Sequence, residues 1–296
     1  MNYYDEIKTQ IINNEVTKRI KDYSKNKSDL TTYYSIGKLL SEAGKHYGEG
    51  IIKEYSMRLT KEFGKGYSQR NLRSMKQFFA IAFNQKWQTV SAKLSWSHYC
   101  EIIWFDELKM NYYINMSIKQ NLSVRELRNR IKNNEYERLP EETKNNMIEK
   151  NEEDTVKDFI KNPILIKNNH HYEIVSEKIL QQLILEDIPS FLDELGDGFT
   201  FIRNEYKIKM GENYNYIDLL LYNIKFKCYV VVELKITELK KEHIGQIHTY
   251  MNYIDNNLKT IEEYNTIGII IVRKNNQYIM EYCSDKRIIS KTYELV

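Results

Sequence analysis

The apolar residues change their period part-way along the chain, and that change limits the fold more than any other feature. From Asn2 to about Arg138 they recur at spacings of three and four, which gives each of a series of helices one apolar stripe. A densely charged stretch follows, KNNEYERLPEETKNNMIEKNEEDT, with Pro140 and little periodicity. Beyond it a helix is predicted from about Glu173 to Leu195, closed by Gly196 and kinked or broken at Pro189. Short β-type runs come next: FTFIRNEYKI, YIDLLLY and KCYVVVELKI. A helix over about Lys240 to Asn257 follows, with Ile247, Tyr250, Met251, Ile254 and Leu258 on one face, then two more strand-like runs, TIGIIIVRK and QYIMEYCSD. The pattern predicts a helical domain over 1–140, a linker over 141–165 and an α/β domain over 166–296, its mixed sheet flanked by helices.

At 296 residues, with 42% hydrophobic and 29% charged, the chain is long enough to bury two cores and is globular rather than disordered. No run of eighteen apolar residues predicts a membrane span, and the start MNYYDEIKTQ does not read as a secretory signal, so a cytoplasmic protein is expected. Cys100, Cys228 and Cys283 are odd in number and form no CxxC pair, which argues against disulfides and a zinc knot. His170, His171, His243 and His248 lack further ligand spacing and are read as non-metal residues. A net charge of +3 is too small to point to nucleic acid by itself.

The charges inside the strands say more. In YIDLLLYNIKFKCYVVVELKI, Asp218 lies in one apolar run while Glu233 and Lys235 share one face of the next, joined by a connection short enough for a hairpin. Taken singly, each is what a half-exposed sheet commonly presents to solvent. Together they interrupt runs that read as buried on both faces, where unpaired charge costs several kcal/mol. A bound cation removes that cost. Two carboxylates and a backbone carbonyl form an oxygen-rich pocket suited to Mg²⁺ or Mn²⁺, with positions left for water and a phosphate oxygen. A lysine beside them orients the water, which is the chemistry of phosphodiester hydrolysis.

These residues resemble the PD-(D/E)xK nuclease superfamily, here with Ile217-Asp218 in place of Pro-Asp, 15 residues before Glu233-Leu234-Lys235. The sequence Gln246-Ile247-His248-Thr249-Tyr250 looks like the Q-x-x-x-Y element of its RecB-like branch, and Glu177 stands where the superfamily often has a further acid. ELGDGFTFI, YIDLLLY, CYVVVELKI and GQIHTYM in this order are similar to the YhcG-like proteins. EFGKGYSQRNLRSMKQFF, LSWSHYCEI and LSVRELRNRI extend that similarity into the first half.

The resemblance implies a restriction-endonuclease-like fold in which Asp218, Glu233 and the Leu234 carbonyl hold Mg²⁺ or Mn²⁺. It further implies that Glu177 assists, Lys235 positions the attacking water, and Gln246 and Tyr250 hold the site or the backbone. The chain departs from the family at Asn204-Glu205, where relatives often have Arg-Gln; no arginine stands there to meet phosphate, and Glu205 brings an acid instead.

In the helical half, TKEFGKGYSQRNLRSMKQFF outlines a helix-turn-helix: a helix over 51–63, the turn GKGY, then a helix capped by Ser68 with Leu72, Met75, Phe79 and Ala82 as its stripe. Between Thr60 and Ala80 five basic residues stand against one acid, and Arg70, Arg73, Lys76 and Gln77 are the DNA-contact candidates there. A merely solvated basic face is the competing reading. Ser123 and Glu126 form a capping box that starts a helix carrying Arg125, Arg128 and Lys132, the first two also DNA-contact candidates. Trp96 and Trp104 are read as core.

The leading expectation is a metal-dependent DNA endonuclease, in defence against foreign DNA or in DNA processing. It would work on DNA with defence-system partners or as a homodimer, since one site per chain cuts one strand. The rivals are a catalytically silent DNA-binding accessory protein of a restriction-modification or other defence complex, and a helix-turn-helix regulator, which leaves the acidic pair unexplained.

Overall fold

The computed structural model describes residues 3–20, 25–48, 50–84, 93–141, 143, 144, 156 and 159–296. It divides into two compact units, Met1–Tyr136 and Glu137–Val296. The first is helical: α1 (Tyr3–Ile20), α2 (Lys25–Tyr47), α3 (Ile51–Phe63), α4 (Gln69–Asn84), α5 (Trp96–Ile102), α6 (Glu107–Lys119) and α7 (Val124–Lys132). Two apolar clusters hold it. Ile7, Ile36, Leu40, Ile52, Leu59, Leu72 and Met75 join α1 to α4. Phe78, Tyr99, Ile102, Met110, Tyr113 and Leu127 join α4 to α7.

Side-chain caps set where these helices start. Ser68 accepts from the Asn71 N–H at 3.4 Å, Asp106 from Lys109 N–H at 3.0 Å, and Ser123 and Glu126 close the expected capping box on each other's backbone N–H. Between α3 and α4 the GKGY turn is a short 3-10 helix, Lys65–Tyr67, with Tyr67 buried. The α4 stripe differs by one residue from the expected one: Phe78 is buried, whereas Phe79 is half-buried and meets Tyr34 edge-on. Trp96 packs against Tyr33 and Phe78 as expected of core. Trp104 does not: it lies beyond the end of α5 and is 57% exposed, because the helix that would have carried it inward stops at Ile102.

The second unit is a six-stranded mixed sheet. Its strands are β1 (Ile164–Ile166), β2 (Phe199–Met210), β3 (Asn213–Asn223), β4 (Cys228–Glu238), β5 (Tyr264–Lys274) and β6 (Ile288–Leu295), in the order β1-β6-β5-β4-β3-β2. β2, β3 and β4 are antiparallel neighbours; β4, β5, β6 and β1 run parallel. The alternation of β4 sends Val230, Val232 and Leu234 into a core with α8 (Glu177–Glu186) and α9 (Ile188–Leu195). Val231 enters the opposite core, with Ile247, Met251 and Ile254 of α10 (Lys241–Asn257). Helices therefore cover both faces, and the strands read as continuous apolar runs for that reason.

Gly268 of β5 packs directly under Met251 and Ile247 of α10. A Cβ there would stand 2.6 Å from the Met251 sulfur and 2.9 Å from Ile247 Cδ1. Gly268→Val is expected to destabilise this unit by about 1–3 kcal/mol through overpacking, read as a lower urea midpoint at unchanged slope.

Three expectations need correction. The segment 141–165 was expected as a linker, yet Val156, Ile160 and Ile164 enter the core of the second unit, and β1 pairs with β6. The helix expected from Glu173 to Leu195 starts only at Glu177, capped by Ser176, and breaks at Asp187, which caps α9 by accepting from the Ser190 N–H at 3.2 Å. Pro189 sits in the first turn of α9, where no N–H is needed. QYIMEYCSD is no strand: Asn276 caps a short helix, α11 (Gln277–Glu281), and Tyr278 and Tyr282 are exposed. The last strand is β6, further along.

Candidate active site

The ladder between β3 and β4 runs from Asn223↔Cys228 to Leu219↔Val232 and stops there. At the next residue the Asp218 side chain takes over, its Oδ2 accepting from the Leu234 N–H at 2.8 Å. The Asp218 backbone carbonyl accepts from Gln181 Nε2 of α8 at 2.9 Å. Both bonds fix where the carboxylate stands beside β4.

Glu233 is 1% exposed. Its Oε2 accepts from Lys235 Nζ at 3.2 Å, and its Oε1 is buried with no hydrogen-bond partner. Lys235 also reaches Glu177 Oε2 at 3.9 Å, at the first turn of α8. Asp218, Glu233, Lys235 and Glu177 therefore lie close enough to act on one another's charge.

Electrostatics follow from this crowding. Burial, then the Asp218 charge, pushes the Glu233 carboxyl up to about 8 despite the lysine. Burial likewise raises Asp218 against the pull of the Leu234 N–H and Lys235, with Glu177 and Glu205 adding to the rise. Burial works against the Lys235 ammonium, but Glu233, Asp218 and Glu177 outweigh it and hold its pKa above the usual value. Two acids are thus kept side by side with less positive charge than they call for.

Glu205, read as an extra acid, falls opposite Asp218 in the β2–β3 register, between the pairs Asn204↔Leu219 and Tyr206↔Ile217. Its φ of 46° is left-handed, a conformation that a glutamate seldom adopts. On α10, Gln246 Nε2 donates to the Tyr250 hydroxyl at 3.1 Å. Tyr250 is buried, and the charges of Glu233, Lys235 and Asp218 all act on its hydroxyl, so this pair borders the acidic site.

The comparisons with known proteins agree with this arrangement. The model of the YhcG PDDEXK nuclease domain matches residues 157–296, and that of the DUF1016 N-terminal domain matches residues 6–138. The chain belongs to the YhcG-like family. Its C-terminal unit is a PDDEXK nuclease domain with a restriction-endonuclease-like mixed sheet. The YhcG-like chain is 24% identical over 282 residues to the Escherichia coli (strain K12) protein named "Putative nuclease YhcG", covering 81% of this chain and 75% of that one. Two solved structures are similar at 16% identity. One is a repair endonuclease from Pyrococcus abyssi, TM-score 0.29, covering 43% of this chain and 49% of that one. The other is EndoMS in a complex with double-stranded DNA, TM-score 0.30, covering 43% and 47%. The YhcG-like chain thus spans about half the length of these two structures.

In the helical unit of this YhcG-like chain, the candidate DNA contacts are in differing states. Arg70, Arg73 and Arg125 are exposed, while Lys76 and Gln77 are half-buried. Arg128 is engaged by Glu101, which accepts from its Nε at 2.9 Å and its Nη2 at 2.7 Å. No helix among the described residues is long and apolar enough to cross a membrane.

Two residues at the site escaped the sequence reading. Gln181 contacts the Asp218 backbone from 37 residues away, and only the apolar neighbours of α8 are periodic, so nothing local marks it. His243 is buried at the start of α10, where its Nδ1 accepts from the Lys240 N–H at 3.2 Å. Burial, then the Lys235 charge, lowers its pKa and favours the neutral ring.

Proposed function

We propose that the protein is a divalent-metal-dependent DNA endonuclease. The observation that carries this reading is the Glu233 carboxylate: buried, beside Asp218, with one oxygen left unpartnered. A chain normally pairs such an oxygen or removes the charge. The donors are carboxylate and carbonyl oxygens, the set that Mg²⁺ and Mn²⁺ prefer. Asp218, Glu233 and the Leu234 carbonyl would hold the ion, with Glu177 assisting from α8. When bound, it lowers the pKa of a water and stabilises charge developing on the phosphate.

The chain's own residues do the rest. Asp218 is held by Leu234 N–H and Gln181, so its carboxylate keeps one orientation. Lys235, between Glu233 and Glu177, carries a fixed positive charge that orients the attacking water. Gln246 and Tyr250 brace the wall of the site. The α3–turn–α4 segment acts as a helix-turn-helix module, with Arg70, Arg73, Lys76 and Gln77, joined by Arg125 and Arg128, on DNA phosphates. Arg128 has to exchange Glu101 for phosphate to do so. Two copies serve to cut two strands, and defence against foreign DNA is the setting.

The test is cleavage of plasmid, linear and branched DNA by the full chain with Mg²⁺ or Mn²⁺, and again with chelator. Cleavage that chelator stops supports the enzyme. A chain that shifts DNA in a gel but is silent with each metal transfers support to an accessory DNA-binding protein.

A further inference from the structure

The β2–β3 hairpin continues past the rest of the sheet. β3 pairs with β4 only over Leu219–Asn223, whereas β2 and β3 stay paired out to Met210↔Asn213. Residues 206–217 therefore form a two-stranded ribbon, and β2 is the sheet's edge. Gly211, at φ 63°, opens the two-residue turn at its tip, where a side chain would be strained.

The two faces of the ribbon differ sharply. Ile208 and Ile217 are buried on one, with Tyr206 and Met210 partly buried beside them, against the core that holds α10. The other face pairs Lys207 with Tyr216 and Lys209 with Tyr214. Tyr214 is 53% and Tyr216 52% exposed. Lys207 Nζ stands 3.8 Å from the Tyr214 ring centroid and Lys209 Nζ 6.0 Å, so both ammonium groups gather around that exposed ring. Among the described residues neither lysine forms an ion pair. Tyr216 lies two residues before Asp218 on the same strand, about 7 Å along.

We propose that the Lys207, Lys209, Tyr214 and Tyr216 face is the track that receives the phosphodiester backbone of the DNA strand entering the site. The inference rests on the endonuclease reading and adds a substrate-binding surface within the nuclease domain itself. Its chemistry suits that ligand: two ammonium groups for phosphates, and two aromatic rings, amphipathic and exposed, for the sugar and base edges between them. The apolar side of the ribbon is anchored, so the track is fixed relative to Asp218.

The test uses the full chain with Lys207→Glu and Lys209→Glu together, and a second variant with both lysines changed to Arg. Affinity for a short duplex is read by fluorescence anisotropy against salt, in an Asp218→Asn background without metal. The charge reversal is expected to weaken binding at least about tenfold and to lower the salt slope by about 1.8, which is about 0.9 for each phosphate no longer neutralised. The Arg variant is expected to bind as the parent does. In the cutting-competent chain the reversal should raise KM and leave kcat and the melting temperature unchanged. Unchanged affinity and slope, in a chain whose parent cuts DNA, would overturn the track and leave the endonuclease standing. Weakened binding that accompanies loss of a dimer in light scattering would also overturn it, in favour of contact between two copies. A parent chain that neither binds nor cuts DNA overturns both.

Discussion

Lys235→Met is expected to slow DNA cleavage by about 10²- to 10⁴-fold, the usual size of a lost proton-handling or water-orienting group, with duplex affinity retained. The methionine keeps the length and apolar stem of the lysine but removes the charge that lies 3.2 Å from Glu233 and 3.9 Å from Glu177. Lys235→Arg should be impaired as well. A planar fork directs its donors differently from a compact ammonium in this buried place. Single-turnover cleavage and anisotropy on the same preparations separate the two effects. Full activity in Lys235→Met would remove the lysine from the chemistry, and equal losses of affinity and rate would make it a binding residue.

The second large effect is on stability. Arg138 and Glu194 are both nearly buried, and the carboxylate accepts from both terminal nitrogens of the guanidinium. Glu194 also accepts from the Leu165 N–H at 3.0 Å and stands 3.6 Å from Lys161, while Arg138 donates to the Pro163 carbonyl at 2.8 Å. The cluster ties the end of α9 to β1 and to the segment at the start of the second unit. Arg138→Leu leaves a buried carboxylate short of its main partner and is expected to cost about 3–5 kcal/mol.

The pH dependence has a definite sign. Burial pushes the Glu194 carboxyl up, but Arg138, Lys161 and the Leu165 N–H together bring it below the ordinary value. A lowered folded value gives stability that is present above the unfolded carboxyl's value and lost as pH falls through the folded one. In Arg138→Leu the deficit should shrink on acidification, because a protonated Glu194 no longer needs the cation. Urea unfolding at neutral pH and at about pH 4 measures both. A deficit below about 1 kcal/mol, the size for an exposed pair, would show that the cluster is not structural.

How much of this was legible in the sequence differs from element to element. Asp218, Glu233 and Lys235 were conspicuous because their neighbours are Val, Leu and Ile, and burial on both faces of β4 is what makes charge there expensive. The helix carrying Gln246 and Tyr250 was legible from its stripe. Register was not, since it depends on where β3 leaves β4, and that point is set by Asp218 accepting from the Leu234 N–H. α11 was misread because five residues are too few to distinguish period 3.6 from period 2, and its decisive signal is the Asn276 cap. β6 and β1 went unread. Residues along β6 are mostly half-buried, so no clean alternation marks it, and β1 has only three residues. Val156 and Ile160 sit in a polar stretch whose composition hides that they are core. Trp104 shows the converse: spacing of eight from Trp96 implies one face only if the helix continues, and it does not.

The most direct measurement is nicking of supercoiled plasmid by wild type and Asp218→Asn, purified in parallel and assayed with Mg²⁺, with Mn²⁺ and with chelator. The asparagine keeps an oxygen for the Leu234 N–H, so the variant should fold and still bind DNA. Nicking by the wild type in Mg²⁺ or Mn²⁺, absent in chelator and absent in Asp218→Asn, is the expected result. Nicking that persists at the wild-type rate in Asp218→Asn would contradict the assignment of these carboxylates to the chemistry.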